Sequence, residues 1–406
     1  MVRPKRQVIY RVNLTKKLLL SAYIKYLACV GILIILLQNA SGWDESYLIK
    51  ELSVIFVFIY GCKYLNLKKL KFISLEVLIV VLLISIGVIC TREFNFVFFA
   101  SIRQFIAPYA FILIGYLYSD GKEIREKIVR SFIYTVIFLC FFGFFERYVY
   151  LWEFLNVSRF FAVKNIPIYD FGYPNFWIEP IVIEMLTKYE EGTPRMVSTI
   201  LDPINLGHTI VAALTLTLFD KSIRLSKPVK FFAPLILLLA LFLTFSKGAF
   251  LQFGICFLIL ARVPVINKII LVVVLMVAIS FYITEHAGFM VHWLGLINVF
   301  NYLSVFGSGF GSFGNVSIMY GQNYIPHVGD SYWAAIIGQL GIFGFVMWLI
   351  VWYSVYIKIK DENTLSVLLI AQIIVSGLSE NAFNFMSISF LMIMIGLSLG
   401  SKFQSK

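Results

Sequence analysis

Runs of about twenty apolar residues recur along the whole chain, and they constrain its fold more than any motif does. A helix needs about 20 mostly apolar residues to cross the ~30 Å hydrocarbon core of a bilayer. Twelve stretches qualify, at roughly 18–38, 46–65, 70–90, 94–118, 129–148, 205–220, 229–246, 248–262, 266–284, 329–356, 364–380 and 383–400. Composition agrees: 60% of residues are hydrophobic and 14% charged, with a mean hydropathy of +0.88, where a soluble domain has ~25% charged residues. The expected fold is an all-α polytopic membrane protein of about twelve transmembrane helices, with residues 1–406 forming a single integral membrane domain.

The net charge of +12 follows from orientation. Basic residues gather in the N-terminal tail (Arg3, Lys5, Arg6, Arg11, Lys16, Lys17) and in every second connection: Lys63 to Lys71, Lys122 to Arg130, Lys221 to Lys230, Arg262 with Lys268, and Lys358 with Lys360. Lys402 and Lys406 end the chain. This is the positive-inside pattern with both termini cytoplasmic, and it makes a nucleic-acid partner unnecessary. The basic N-terminus and the first apolar run have the order of a secretory signal, but ~20 residues exceeds the usual ~7–15-residue core, so a retained first span is expected. Cys29, Cys62, Cys90, Cys140 and Cys256 are scattered in or beside apolar runs without metal-ligand or CxxC spacing, as buried small hydrophobes would be.

Two connections on the outer side are long, 149–204 and 285–328. Loops of this length are functional or disordered. The first holds Tyr150, Trp152, Phe160, Phe161, Tyr169, Phe171, Tyr173, Phe176 and Trp177. Disordered segments are poor in aromatics, so folded loops at the outer interface are expected, partly as interfacial helices. Their rings suit either headgroup anchoring or a sugar-binding surface.

Ionisable groups within spans or at their outer ends are the candidates for function. Arg195 enters the sixth span from outside and is either an interfacial anchor or a bidentate grip on pyrophosphate. Asp202-Pro203 followed by Asn205 reads as a helix start with a capping side chain, and His208 as a hydrogen-bonded structural histidine. Lys247 lies in a tight outer turn, against the orientation rule. It either snorkels into headgroups or meets an anion. His327 and Asp330 flank the start of the tenth span; the histidine can accept a hydroxyl proton, and Asp330 either orients it or caps the helix. Arg103 lies deep in the fourth span and needs a partner or a polar cavity. Glu146 and Arg147 are candidate partners for it, or pair with each other. There is no P-loop, HExxH or GxSxG sequence. The glycines of Gly307-Ser-Gly-Phe-Gly-Ser-Phe-Gly314 follow no βαβ pattern and read as a flexible or close-approach loop.

Three segments, in this order, carry a family resemblance: Pro194-Arg195-Met-Val-Ser-Thr-Ile-Leu-Asp202-Pro203, Phe245-Ser246-Lys247-Gly248-Ala249, and Gly307-Ser-Gly-Phe-Gly311 through His327-Val-Gly-Asp330-Ser-Tyr-Trp333 to Gln339-Leu-Gly-Ile-Phe-Gly344. The set resembles the bacterial O-antigen polymerase and O-antigen ligase group. Two positions depart from its pattern: Lys247 stands where arginine is commoner, and Gln339 where glutamate is common. The resemblance implies a GT-C-type membrane glycosyltransferase of the bacterial inner membrane, working on the periplasmic face with an undecaprenyl-pyrophosphate-linked oligosaccharide and needing no cofactor or metal. Arg195, Lys247 and Arg103 would bind pyrophosphate; His327 and Asp330 would be catalytic. Membrane lipid and a chain-length regulator are the further partners implied. Polymerase is the leading expectation, with ligase and lipid-linked oligosaccharide flippase as alternatives.

Overall fold

A computed structural model describes residues 4–65, 67–149, 154–163, 177–178, 193–264, 266–267, 294–319 and 331–404. These are helical apart from their connections and a two-residue antiparallel pairing of Trp177–Ile178 with Thr193–Pro194. The main helices are α1 (Pro4–Ser41), α2 (Ile49–Cys62), α3 (Ser74–Cys90), α4 (Phe96–Tyr118), α5 (Lys122–Val149), α6 (Pro203–Phe219), α7 (Lys227–Thr244), α8 (Lys247–Leu260), α9 (Tyr332–Ile359), α10 (Asn363–Ser376) and α11 (Phe385–Gln404). Six of them, α1, α4, α5, α7, α9 and α11, are long and apolar enough to cross a membrane, while α3, α6, α8 and α10 are shorter apolar helices. The chain is thus an α-helical membrane protein. The closely spaced stretches at 70–90 and 94–118 are separate helices, α3 and α4. Nearly all of the stretch at 266–284, and parts of both long loops, lie outside the described residues.

The chain divides into two compact units: Met1–Asn66, Tyr109–Phe250 and Met386–Lys406 in the first, Leu67–Pro108 and Leu251–Phe385 in the second. In the first unit α6 is the central helix, with 14 of its 17 residues buried, as expected of a helix that is apolar nearly all round. On α7 the exposed residues Phe231, Leu235, Leu238, Leu239 and Phe242 form one stripe, opposite buried Ala233, Leu237, Ala240 and Leu241. An outward stripe as apolar as the inward one suits lipid as the solvent. The C-terminal part of α4 and α11 approach backbone to backbone. Cβ atoms on Gly115 and Gly396 would overlap the carbonyls of Ile393 and Ile112, and Gly400 receives Ser119. Small residues four apart on both helices permit this crossing, the usual device where no hydrophobic effect drives helices together. A buried arginine closes one end: Arg125 donates to Asp220 Oδ2 (3.1 Å), Ser222 Oγ (3.0 Å) and Ser398 Oγ (3.1 Å).

In the second unit α3 packs antiparallel to α9. Lys358 near the end of α9 donates to Glu76 Oε1 (2.5 Å) and the Phe72 carbonyl (2.6 Å), and Ser354 Oγ donates to the same carboxylate oxygen (2.5 Å). At the other end of α3, Gly87 leaves room for Phe310 and Leu340. Tyr332, Trp348, Trp352 and Phe383 form a continuous ring cluster. Gln252 Nε2 donates to Gln372 Oε1 (2.5 Å), and Gln372 Nε2 in turn to the Ala382 carbonyl, so these buried amides satisfy one another where lipid offers no partner.

Replacing Gly115 or Gly396 by leucine should lower the thermal midpoint in detergent, with overpacking costing about 1–3 kcal/mol or more. Gly254→Leu is the matched control, because a Cβ there meets nothing within 4 Å. Equal midpoints for Gly115→Leu and Gly254→Leu would refute the close crossing.

Candidate functional site

In the first unit, residues 195–202 leave α-helical geometry, apart from a single 3-10 turn at Ser198–Ile200, and form a ledge against α1, α5 and α7. The ledge is strained: Ser198 (φ 52°) and Leu201 (φ 61°) both occupy the left-handed region, which costs about 1–3 kcal/mol for a non-glycine residue and persists only where the surroundings over-determine it. Here they do. Met196 N donates to the Leu243 carbonyl of α7 (2.8 Å). Val197 N (3.1 Å) and Ser198 N (3.3 Å) both donate to Glu146 Oε1 of α5. Ser198 Oγ donates to the Leu139 carbonyl (2.7 Å), and Thr199 Oγ1 to the Ala28 carbonyl of α1. Gly143 leaves room for Met196, whose Cγ would lie 2.7 Å from an added Cβ, and Gly31 leaves room for the Thr199 carbonyl. Asp202 then caps α6, accepting from Ile204 N (2.7 Å) and Asn205 N (2.9 Å), with Pro203 in the first turn.

Half-buried Arg195 opens this ledge. Its Nε donates to the Thr244 carbonyl (2.9 Å) and Nη2 to the Phe245 carbonyl (3.4 Å). The guanidinium therefore closes the C-terminus of α7, where last-turn carbonyls and the negative end of the helix dipole favour a cation. Two of its five N–H donors are used in this way, and the other three make no hydrogen bond among the described residues. Burial pulls its pKa down to about 10, opposed by nearby Asp202, so it stays charged near neutrality.

The α7–α8 turn that Arg195 holds is equally tight. Phe245 is left-handed (φ 48°), Ser246 N donates to Thr244 Oγ1 (3.3 Å), and Ser246 Oγ accepts from Ala249 N (3.4 Å) as the cap of α8. Gly207 of α6 packs against Ser246 and Ala249. Lys247, exposed, is the first residue of α8. A cation in the first turn of a helix faces the positive end of the dipole, an unfavourable place worth about 0.3–1 kcal/mol. The turn thus carries a guanidinium with three donors that make no hydrogen bond among the described residues, and an exposed lysine begins the helix that follows.

The second unit holds the glycine-rich stretch. α9 breaks at Gly341 (φ 73°, ψ −177°), and residues 304–309 strap across the break. Ile342 N donates to the Ser304 carbonyl (3.0 Å) and Phe343 N to the Val305 carbonyl (3.1 Å); Ser308 N donates to the Gly338 carbonyl (3.0 Å) and Gly309 N to the Gln339 carbonyl (2.9 Å). The strap thus repairs the donors and acceptors that the break orphans. Gly307 and Gly341 are left-handed, and a Cβ on either would overlap the opposing backbone. Of the two readings of this loop, close approach is the one realised. Gln339 is buried and donates from Nε2 to the Phe313 carbonyl (2.5 Å), a bond that an ionised glutamate has no proton to make.

Of the residues expected to act together, Arg195 bonds the Thr244 and Phe245 carbonyls at the α7–α8 turn, and Lys247 begins α8 just after it. Half-buried Arg103 lies in α4 and belongs to the second unit. His327 and Asp330 lie outside the described residues. The cap of α9 is Ser331, which accepts from Ala334 N (3.2 Å) and donates to the Gly377 carbonyl (2.7 Å). Asp202 caps α6 as expected. Glu146 accepts two backbone N–H groups of the ledge. Sequence reasoning missed that role, although a glycine one turn before a carboxylate in an apolar helix marks a place where another backbone comes close. It also missed the break in α9, for which Gly338, Gly341 and Gly344 at three-residue intervals are the signal.

Gln339→Glu should destabilise the protein by about 1–3 kcal/mol at neutral pH, because two acceptors would then face each other. The loss should shrink as acid protonates the new carboxyl. A thermal midpoint matching wild type at pH 7.5 would contradict the assigned bond. Compared with known protein families and curated proteins, the chain matches no family model and no curated sequence.

Proposed function

We propose that this chain is a membrane glycosyltransferase of the O-antigen polymerase kind. It would transfer oligosaccharide repeat units from undecaprenyl pyrophosphate to a growing surface polysaccharide. In this reading about twelve spans form a GT-C-like bundle in a bacterial inner membrane, with both termini cytoplasmic and the ledge on the periplasmic side. The observation that carries it is Arg195 held on the carbonyls of the turn that precedes Lys247, with three guanidinium donors that make no hydrogen bond among the described residues. The resemblance of the three ordered segments supports the same reading.

The chemistry follows from the leaving group. Lipid pyrophosphate departs as negative charge develops on its bridging oxygen. Arg195 and Lys247 would stabilise that charge more in the transition state than in the ground state, which is what raises kcat. Because the backbone around them is already fixed, little reorganisation accompanies the step. His327 would take the proton of the attacking sugar hydroxyl, with Asp330 orienting the imidazole. Attack at the anomeric carbon from the face opposite the pyrophosphate would invert its configuration. Arg103 is a further candidate for pyrophosphate.

Arg195→Ala, Lys247→Ala and His327→Ala should each lower transfer from lipid-linked repeats by about 10²-fold or more. Lys247→Arg should keep most of the activity, since the cation remains. Wild-type rates in all three alanine variants would refute the mechanism. Deletion of the gene should leave single repeat units on the core lipid; full-length polymer accumulating on undecaprenyl pyrophosphate would indicate the ligase instead.

A further inference from the structure

We infer that Glu146 is a positioning residue for the candidate site: its carboxylate sets the depth and direction of the ledge and so the placement of Arg195. This deepens the transferase reading and rests on it for its kinetic consequences. Glu146 is 2% exposed, near the C-terminal end of α5. One of its oxygens, Oε1, accepts from two successive backbone N–H groups, Val197 and Ser198, which begin two residues after Arg195. Nothing local to the sequence forces this. A buried carboxylate in a membrane helix is costly and persists where it has work to do.

The geometry explains why two N–H groups need this acceptor. Val197, which lies between the two donating peptides, is right-handed (φ −115°, ψ −28°), so both N–H groups turn the same way. Neither can join a helix ladder there. Leu139, Gly143 and Glu146 are spaced four and three residues apart on one face of α5. Each takes a different part of the ledge: the Leu139 carbonyl accepts from Ser198 Oγ, Gly143 leaves room for Met196, and Glu146 accepts the two backbone donors. Without Glu146 the two donors would be buried and unsatisfied beside two strained residues, and the segment would relax. Arg195 would then leave the Thr244 and Phe245 carbonyls, because its backbone is continuous with Val197. The role needs an acceptor oxygen of the right reach and does not need a negative charge; a glutamine amide oxygen can accept the same two bonds.

The test compares Glu146→Gln with Glu146→Leu, alone and combined with Arg195→Ala, in the full-length protein. Backbone hydrogen exchange of peptides covering residues 196–202 is read first, since it does not depend on any activity. Glu146→Leu should speed exchange there while leaving peptides of α9 unchanged, and Glu146→Gln should restore protection. Transfer from lipid-linked repeats is read second. Glu146→Leu should lower kcat by about 10²-fold, Glu146→Gln should recover most of it, and Glu146→Leu should have no further effect once Arg195 is alanine. Unchanged exchange in Glu146→Leu, failure of Glu146→Gln to restore it, or additive losses in the double variant would overturn the inference. If wild type itself transfers nothing, the transferase reading fails, and the exchange result still judges the positioning role.

Discussion

In a lipid environment every peptide group that leaves a helix must find its partner inside the protein. This constraint shapes both irregular segments of the molecule. The ledge at 195–202 and the break at Gly341 are the places where helical hydrogen bonding stops inside a packed unit. Each is repaired by a dedicated set of groups: Glu146, Leu139, Ala28 and the end of α7 for the ledge, and the strap at 304–309 for the break. Such repair costs glycines, a buried carboxylate and two left-handed residues. Simple spans need none of these, so the segments mark where the fold serves something other than crossing the bilayer.

The ledge gains an electrostatic character from the same repair. Arg195 satisfies the last carbonyls of α7, at the turn that precedes Lys247, so the bonds that stabilise the backbone also fix a cation there. Partial burial strengthens the field of the guanidinium, and its pKa of about 10 leaves it charged. Lys247 sits at the wrong end of a helix dipole for its own stability.

Much of this was legible in the sequence because hydrophobic length is a local property. The apolar runs mark α1, α4, α5, α7, α9 and α11, and Asp202-Pro203 announces the cap of α6. The pairing of Arg195 with the α7–α8 turn was legible only as ordered motifs, since 49 residues separate Arg195 from Thr244. Glu146 was legible as an ionisable group at a span end, but its partners are backbone groups, which leave no trace in side-chain spacing. The break in α9 was hidden for a related reason. Gly341 lies in a run whose hydropathy is uniform, and only the approach of the strap makes the helix stop there. Gln339 is explained once Phe313 supplies the carbonyl it bonds.

The central claim is that Arg195 and Lys247 form one seat for pyrophosphate. Cryo-electron microscopy of the protein with undecaprenyl pyrophosphate in lipid nanodiscs tests it most directly. The account predicts phosphate density within hydrogen-bonding distance of the Arg195 guanidinium and the Lys247 ammonium, with the bonds from Arg195 to the Thr244 and Phe245 carbonyls intact. Phosphate seated away from both side chains, with the ledge unoccupied, would contradict it.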